Sequence, residues 1–172
     1  MQIRDIPRLK QINGRACGPA ALQMVSNYFG KQVSQQEIIR GIGGLKKYGA
    51  RTIQLATFAE KQGLRVECFS YNRKLARGLA RVKKPSRINI LRFLKRKIPV
   101  ILAVRQFLLD KEHRLPKTNE GHFIVITGRT NDVYQYIDPE DGKQHKIKED
   151  DLLFAWHNNI LDSSAYLLVV WK

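Results

Sequence analysis

The sequence predicts a single α+β domain covering residues 1–172, and three observations support this class. Apolar residues follow helical spacing in the first third of the chain, and runs typical of strands fill the last third. Turn residues separate the segments, so helices precede antiparallel strands. A chain of 172 residues with 43% hydrophobic content is sufficient for one buried core.

The first helix carries an apolar stripe from Ala21 to Phe29, and Gly30 ends it. Pro19 suits the first turn of a helix, where its missing N–H costs nothing. Cys17 is therefore expected just before or at the helix N-terminus.

Three further helices begin at recognisable capping residues. Residues 34–37, Ser-Gln-Gln-Glu, form a capping box, and Thr52 is expected to cap a third helix that ends at Gly63. Ser86 is expected to cap a fourth helix, and its predicted apolar stripe is Ile88, Leu91 and Leu94.

Strands are predicted mainly in the second half of the chain. Residues 122–127 and 133–138 form a hairpin, and a polar loop precedes it at 105–121. A second turn at 139–142 leads to a short strand. The remaining predicted elements are strands at 64–71, 99–104 and 165–171 and a helix at about 149–156.

The chain is strongly basic, with 31 Lys and Arg against 15 Asp and Glu and a formal net charge of +16. Many cations lie in a basic stretch at residues 73–97. This stretch is interpretable as a solvated surface or as a docking surface for an acidic substrate, an acidic partner, a membrane surface or an export assembly. Nucleic acid ranks last because the stretch lacks a binding motif and stacking aromatics.

Several classes of protein are disfavoured by composition. No segment approaches the roughly 18 consecutive apolar residues of a membrane span, and the N-terminus lacks the apolar core of a signal peptide. We expect a cytoplasmic protein, free or at the inner face of the membrane. No Cys/His spacing resembles a metal site, and no cofactor is expected. The only cysteines are Cys17 and Cys68, and their pairing is left open.

Cys17 is the candidate nucleophile. A nucleophilic cysteine acts as a thiolate, which the partial positive charge and free N–H groups of a helix N-terminus favour. Gly18 would let a substrate backbone approach closely. A lone cysteine at such a position is also typical of inert core packing, so the assignment depends on partners elsewhere in the chain.

Three residues provide such partners. His122 opens a strand directly after Gly121, and Asp138 ends the strand predicted to pair with it, so hairpin geometry makes the two neighbours. An imidazole base and an orienting carboxylate are the groups that a thiol nucleophile needs. Gln11 lies six residues before Cys17 and could donate to an oxyanion. Taken alone, His122 is equally typical of a strand end, Asp138 of a turn before proline and Gln11 of a surface amide.

Together these residues resemble the bacteriocin-processing, double-glycine peptidase family of papain-like cysteine peptidases. Gln11, five intervening residues and Cys17-Gly18 resemble its opening motif. Residues 122–126, followed by Tyr-Ile-Asp-Pro at 136–139 and Gly142, resemble its later motifs. The similarity extends from about Ile6 to Trp156.

The resemblance implies a papain-like fold, with a helical half carrying the nucleophile and a β half carrying His and Asp. It implies that Cys17 is the nucleophile, His122 the general base and acid, Asp138 the orienting residue and Gln11 the oxyanion donor. Gly18, Gly121 and Phe123 are assigned to substrate contact. The family cleaves leader peptides after a Gly-Gly pair.

The residues between Gln11 and Cys17 depart from the transporter-linked members of the family, because they lack the usual acidic residues. The chain resembles stand-alone relatives more closely. Two alternatives to peptidase activity stay open at this point. The same site could transfer an acyl group to an amine, or the domain could bind peptides without catalysis.

Overall fold

A computed structural model describes five segments of the chain: residues 1–71, 80–81, 85–109, 121–158 and 165–172. The predicted loop at 105–121 and the basic stretch at 73–97 fall partly outside these residues. Within them the chain is α+β, as predicted.

The described residues contain five α-helices, of which three precede the first strand. A 3₁₀ helix at Gln106–Leu108 lies after the third strand. The α-helices are α1 (Cys17–Tyr28), α2 (Gln35–Gly41), α3 (Thr52–Lys61), α4 (Arg87–Lys95) and α5 (Glu149–His157).

Seven strands in the described residues form one sheet in the order β2-β1-β7-β3-β4-β5-β6. All neighbours are antiparallel except β1 and β2, which are parallel. The strands are β1 (Arg65–Phe69), β2 (Ala80–Arg81), β3 (Val100–Arg105), β4 (Gly121–Thr130), β5 (Val133–Asp138), β6 (Lys143–Lys148) and β7 (Leu167–Trp171).

Local sequence explains where the helices begin and end. Ser34 and Glu37 form the predicted capping box at α2. Gly30 follows α1 with φ +78°, a left-handed conformation that glycine adopts without strain. Thr52 is the first residue of α3, and the residue at its N-cap is Arg51.

The core lies between the sheet and the helices. Strands β3 and β7 occupy the middle of the sheet, and their residues are almost all buried, as is typical of central strands. Helix α1 buries its first six residues and packs on β4. This packing brings the N-terminus of α1 to the sheet.

One prediction of burial is wrong. Ile88, expected on the apolar face of the fourth helix, is 70% exposed. The face that packs on the sheet is formed by Ile90, Phe93 and Leu94. The helix is thus rotated, because two bulky residues between Ile88 and Leu94 provide a larger apolar face.

A β-bulge at Thr127 interrupts the pairing of β4 with β5. The Thr127 carbonyl accepts the backbone N–H of Ile3 at 2.7 Å, beside an antiparallel bridge between Gln2 and Gly128. The N-terminal segment therefore pairs with β4 at the position of the bulge. Successive pairs from the turn outward are Thr130–Val133, Arg129–Tyr134, Gly128–Gln135, Ile126–Tyr136 and Val125–Ile137.

The bulge determines the face on which Asp138 lies. Continuing the observed register sets Asp138 opposite Ile124, and Ile124 shares a face with His122 because side chains alternate along a strand. Without the extra residue, Asp138 would oppose Val125 and point to the other side of the sheet. The bulge thus brings Asp138 to the face that carries His122.

No helix among the described residues is long and apolar enough to cross a membrane.

Candidate active site

Cys17 is the first residue of α1 and is 8% exposed. The N-cap is Ala16, and no side chain of the described residues caps the helix. The first-turn N–H groups are therefore not occupied by a capping oxygen, and their partial positive charge acts on the thiol. The structure confirms the predicted position of Cys17 at the helix N-terminus.

His122 and Asp138 lie in hydrogen-bonding contact. The ring Nε2 of His122 is 2.6 Å from Oδ1 of Asp138, and the two side chains are 3% and 14% exposed. The Cys17 thiol lies close enough to the same ring to raise the pKa of His122. Because Nε2 faces Asp138, Nδ1 is the nitrogen left for Cys17, so the imidazole connects thiol and carboxylate.

The surroundings of His122 favour its protonated form. Burial lowers the pKa of His122, but hydrogen bonds and charge interactions with Asp138 and Cys17 outweigh burial. The net effect raises the pKa from 6.5 to about 10. An imidazolium beside a thiolate is the ion pair that nucleophilic cysteine chemistry uses.

Asp138 is fixed by the turn that follows it. Its Oδ1 also accepts the backbone N–H of Glu140 at 2.8 Å, and its carbonyl accepts the N–H of Gly142 at 2.8 Å. Gln106 of the 3₁₀ helix donates to the Glu140 carboxylate. The turn therefore holds the carboxylate in one orientation toward His122.

The same turn binds the segment that carries Gln11. The backbone N–H of Gln11 donates to the carbonyl of Pro139 at 2.7 Å. Gly142 has φ +70°, and a Cβ there would lie 3.0 Å from the Lys10 nitrogen. Only glycine suits this close approach, so the turn and the Gln11 segment are packed together.

Gln11 itself is half-buried. Its Oε1 is buried and has no hydrogen-bond partner among the described residues. Gln35 binds the backbone on both sides of Gln11: Oε1 accepts from the Ile12 N–H at 3.0 Å, and Nε2 donates to the Lys10 carbonyl at 2.9 Å. Gln35 was not predicted, because in sequence it is an ordinary second residue of a capping box.

The three residues assigned to substrate contact occupy different environments. Gly18 is buried, and a Cβ there would lie 3.0 Å from Leu55 and 3.1 Å from the ring of Phe123. Absence of a side chain at Gly18 thus lets α1 pack closely on β4. Gly121 is exposed at the start of β4, where it pairs with Arg105 of β3.

Cys68 is separate from this site. Both cysteines are free, and Cys68 is fully buried in β1. Burial raises the pKa of the Cys68 thiol to about 12, which suits an inert core residue. Within the described segments, no group of three or more His, Cys, Asp or Glu side chains could hold a metal ion.

The site combines a cysteine at a helix N-terminus, an imidazole in contact with it and a carboxylate that orients the imidazole. These groups can perform nucleophilic acyl transfer, since the thiolate can attack a carbonyl and the imidazolium can protonate the leaving group. This arrangement is the one that thiol hydrolases use.

The chain belongs to the Peptidase_C39 like family, whose model matches residues 3–160. This confirms the resemblance to double-glycine peptidases. No curated protein sequence matches the chain.

Solved structures share the fold at low sequence identity. The peptidase domain of Streptococcus ComA, a bifunctional ABC transporter, has a TM-score of 0.68 and 16% identity, covering 98% of this chain and 100% of that one. A putative C39-like peptidase from Bacillus anthracis has a TM-score of 0.72 and 16% identity, covering 99% and 96%. A double-glycine motif protease from an AMS/PCAT transporter, in complex with the leader peptide, has a TM-score of 0.61 and 18% identity, covering 99% and 94%.

Proposed function

We propose that this chain is a cysteine endopeptidase that cleaves a leader or precursor peptide after a Gly-Gly pair. The observation that carries the proposal is the His122 imidazole, whose Nε2 lies 2.6 Å from Asp138 and whose pKa both Asp138 and Cys17 raise. Family membership and the structural similarity to a double-glycine protease bound to a leader peptide support the choice of substrate.

Each residue of the site has a role in this reaction. The Cys17 thiolate attacks the carbonyl carbon of the second glycine, and the C–N bond breaks as His122 protonates the leaving amine. Water, deprotonated by His122, then hydrolyses the thioester. Asp138 keeps the imidazole oriented and stabilises its positive charge.

The negative charge that develops on the carbonyl oxygen needs two donors. The backbone N–H of Cys17 is one, at the positive end of α1, and the side-chain amide of Gln11 is the other. Removal of one such donor lowers kcat by about 10²- to 10³-fold in comparable sites. Gln11 therefore acts in the transition state more than in substrate binding.

Substrate contact is assigned to the residues beside Cys17 and His122. Phe123 occupies the space where a side chain of Gly18 would stand, so a peptide would contact only the backbone of Gly18. Gly121 precedes His122 and is exposed, which leaves its backbone available to an extended peptide. Glycines in the substrate would allow such close backbone contact.

The basic surface suits an acidic partner, such as an acidic leader or a component of an export assembly. In this proposal the enzyme acts on the cytoplasmic side. Within the described residues, α4 and the residues after it contribute exposed cations to this surface, including Lys95, Arg96 and Lys97. Nucleic acid stays the weakest candidate partner.

The test is cleavage of a synthetic peptide with one internal Gly-Gly pair, followed by mass spectrometry. The unaltered chain should cut after the second glycine, and Cys17→Ala should cut nothing while keeping its circular dichroism spectrum. Cys68→Ala is the matched control and should retain cleavage. Cleavage by Cys17→Ala at the native rate would contradict the mechanism, and cleavage elsewhere would contradict the Gly-Gly assignment.

A further inference from the structure

The side-chain amide of Gln35 binds the main chain on both sides of Gln11. Its Oε1 lies 3.0 Å from the Ile12 nitrogen, and its Nε2 lies 2.9 Å from the Lys10 oxygen. Gln35 is 7% exposed, although glutamine is usually a surface residue. A buried amide that uses both its donor and its acceptor on one backbone segment restrains that segment strongly.

The turn after Asp138 also holds this segment. The Gln11 N–H donates to Pro139 at 2.7 Å, which links the segment to the turn after Asp138. The following residues up to Arg15 are exposed, and the Ile12 side chain is 51% exposed. Gln35 supplies a further attachment, from α2, to the two peptide groups that flank the Cα of Gln11.

We infer that Gln35 is a positioning residue that aims the Gln11 side chain at the developing oxyanion. The inference rests on the proposed function, in which Gln11 donates to that oxygen. A donor stabilises the transition state only if it is already in place when charge develops, and a shift of about 1 Å can cost about 10²-fold in rate. Gln35 fixes the Cα of Gln11 through both flanking peptide groups.

The competing interpretation is a purely structural link between α2 and the Gln11 segment. The two differ in what they change at the site. Loss of a positioning residue weakens interactions with the oxyanion and leaves the reactivity of the Cys17–His122 pair intact. Loss of a structural link would disturb thiol reactivity and oxyanion binding together.

The experiment compares two variants of Gln35. Gln35→Leu removes both hydrogen bonds, whereas Gln35→Glu keeps the acceptor for the Ile12 N–H but places a carboxylate oxygen against the Lys10 carbonyl, where the two repel. Gln36→Leu is the matched control, since Gln36 is the adjacent residue of α2 and is exposed. Each variant and Gln11→Ala is assayed with a fluorogenic peptide in which Gly-Gly precedes an aminomethylcoumarin group.

Two further readouts separate the oxyanion from the thiol. The first is inhibition by the same peptide ending in glycinal, because its hemithioacetal places an oxygen in the oxyanion site. The second is the rate at which iodoacetamide alkylates Cys17, because alkylation needs the thiolate but no oxyanion donor. Melting temperatures of all variants establish that each is folded at the assay temperature.

The expected result for Gln35→Leu is a fall in kcat of about 10- to 100-fold, a KM within about threefold and an unchanged alkylation rate. Affinity for the aldehyde should fall in parallel with kcat, Gln35→Glu should be impaired in the same readouts, and Gln36→Leu should match the unaltered chain. Adding Gln35→Leu to Gln11→Ala should cost little more than Gln11→Ala alone.

Several results would overturn the inference: less than a twofold change in kcat for both Gln35 variants, a parallel fall in alkylation rate, or fully additive effects with Gln11→Ala. If both variants were unfolded at the assay temperature, the structural interpretation would hold instead. Failure of the proposed function is distinguishable, because the unaltered chain would then leave the peptide uncut or Gln11→Ala would be fully active.

Discussion

One oxygen of the Asp138 carboxylate contacts both His122 and the turn that follows Asp138. This Oδ1 lies 2.6 Å from the imidazole Nε2 and 2.8 Å from the Glu140 nitrogen. The orienting group is thus itself oriented by backbone. Because the turn also binds the Gln11 segment through Pro139, one short stretch of chain supports two parts of the candidate site.

Asp138→Asn tests this support directly. The amide keeps the size of the carboxylate but removes the charge that helps to raise the pKa of His122. We expect kcat/KM for a Gly-Gly peptide to fall by about 100-fold, and the alkaline limb of its pH profile to move to lower pH. Asp141→Asn is the control, since Asp141 pairs with His145 on the exposed part of the turn. An unshifted alkaline limb would contradict the role of Asp138.

The folding stability should depend on pH through His122. Its pKa is raised in the folded chain, from 6.5 to about 10, so the protonated ring contributes stability that is complete below 6.5. That contribution is lost as pH rises from 6.5 through about 10. Urea unfolding at pH 6.5 and at pH 10 measures it.

The comparison for this pH effect is His122→Gln, because lysines and tyrosines also titrate near pH 10 and change the total charge. The stability advantage of the unaltered chain over His122→Gln should be larger at pH 6.5 than at pH 10. Equal advantages at the two pH values would show that the His122 pKa is not raised.

The two thiols should react very differently. Cys17 contacts His122, whereas Cys68 is fully buried and burial raises its pKa to about 12. Iodoacetamide near neutral pH should label Cys17 alone in the folded chain, and Cys68 only after denaturation. Peptide mapping by mass spectrometry identifies the labelled residue. A sluggish Cys17 would favour the non-catalytic, peptide-binding alternative.

Gly142→Ala should damage the site through the Gln11 segment. The added Cβ would meet the Lys10 nitrogen at 3.0 Å in a left-handed conformation, so we expect a loss of stability greater than the about 1–2 kcal/mol that this conformation alone costs, and a fall in kcat. Gly63→Ala is a matched control, because Gly63 has φ +79° and no atom within 4 Å of the added Cβ. If the two variants lost the same stability and the same activity, contact with Lys10 would be irrelevant.

The sequence was sufficient to predict features that depend on local rules. Gly30 and Pro19 bracket a helix and so predict Cys17 at its N-terminus, and a turn at about residues 129–132 predicts that His122 and Asp138 are neighbours. The turn alone gives the wrong face for Asp138, however. The bulge at Thr127 that corrects it hydrogen-bonds to Ile3, a contact between distant parts of the chain that no local pattern encodes.

Other features depended on tertiary packing in the same way. Gln35 looks like a solvated glutamine at a helix start, and only its contacts with Lys10 and Ile12 reveal its burial. Ile88 fits a helical stripe, yet competition from Ile90 and Phe93 for the sheet leaves it exposed.

The bulge gives the hairpin a parity rule. His122 and Asp138 lie on the same face of the sheet only if the number of residues between them keeps its parity. A one-residue insertion or deletion on either strand would therefore turn one of the two side chains to the opposite face, even if every named side chain were retained. Length changes in this hairpin should therefore be accepted in twos, or in compensating pairs on opposite strands. Retention of the candidate site during evolution thus depends on the lengths of the two strands as well as on the identity of the side chains.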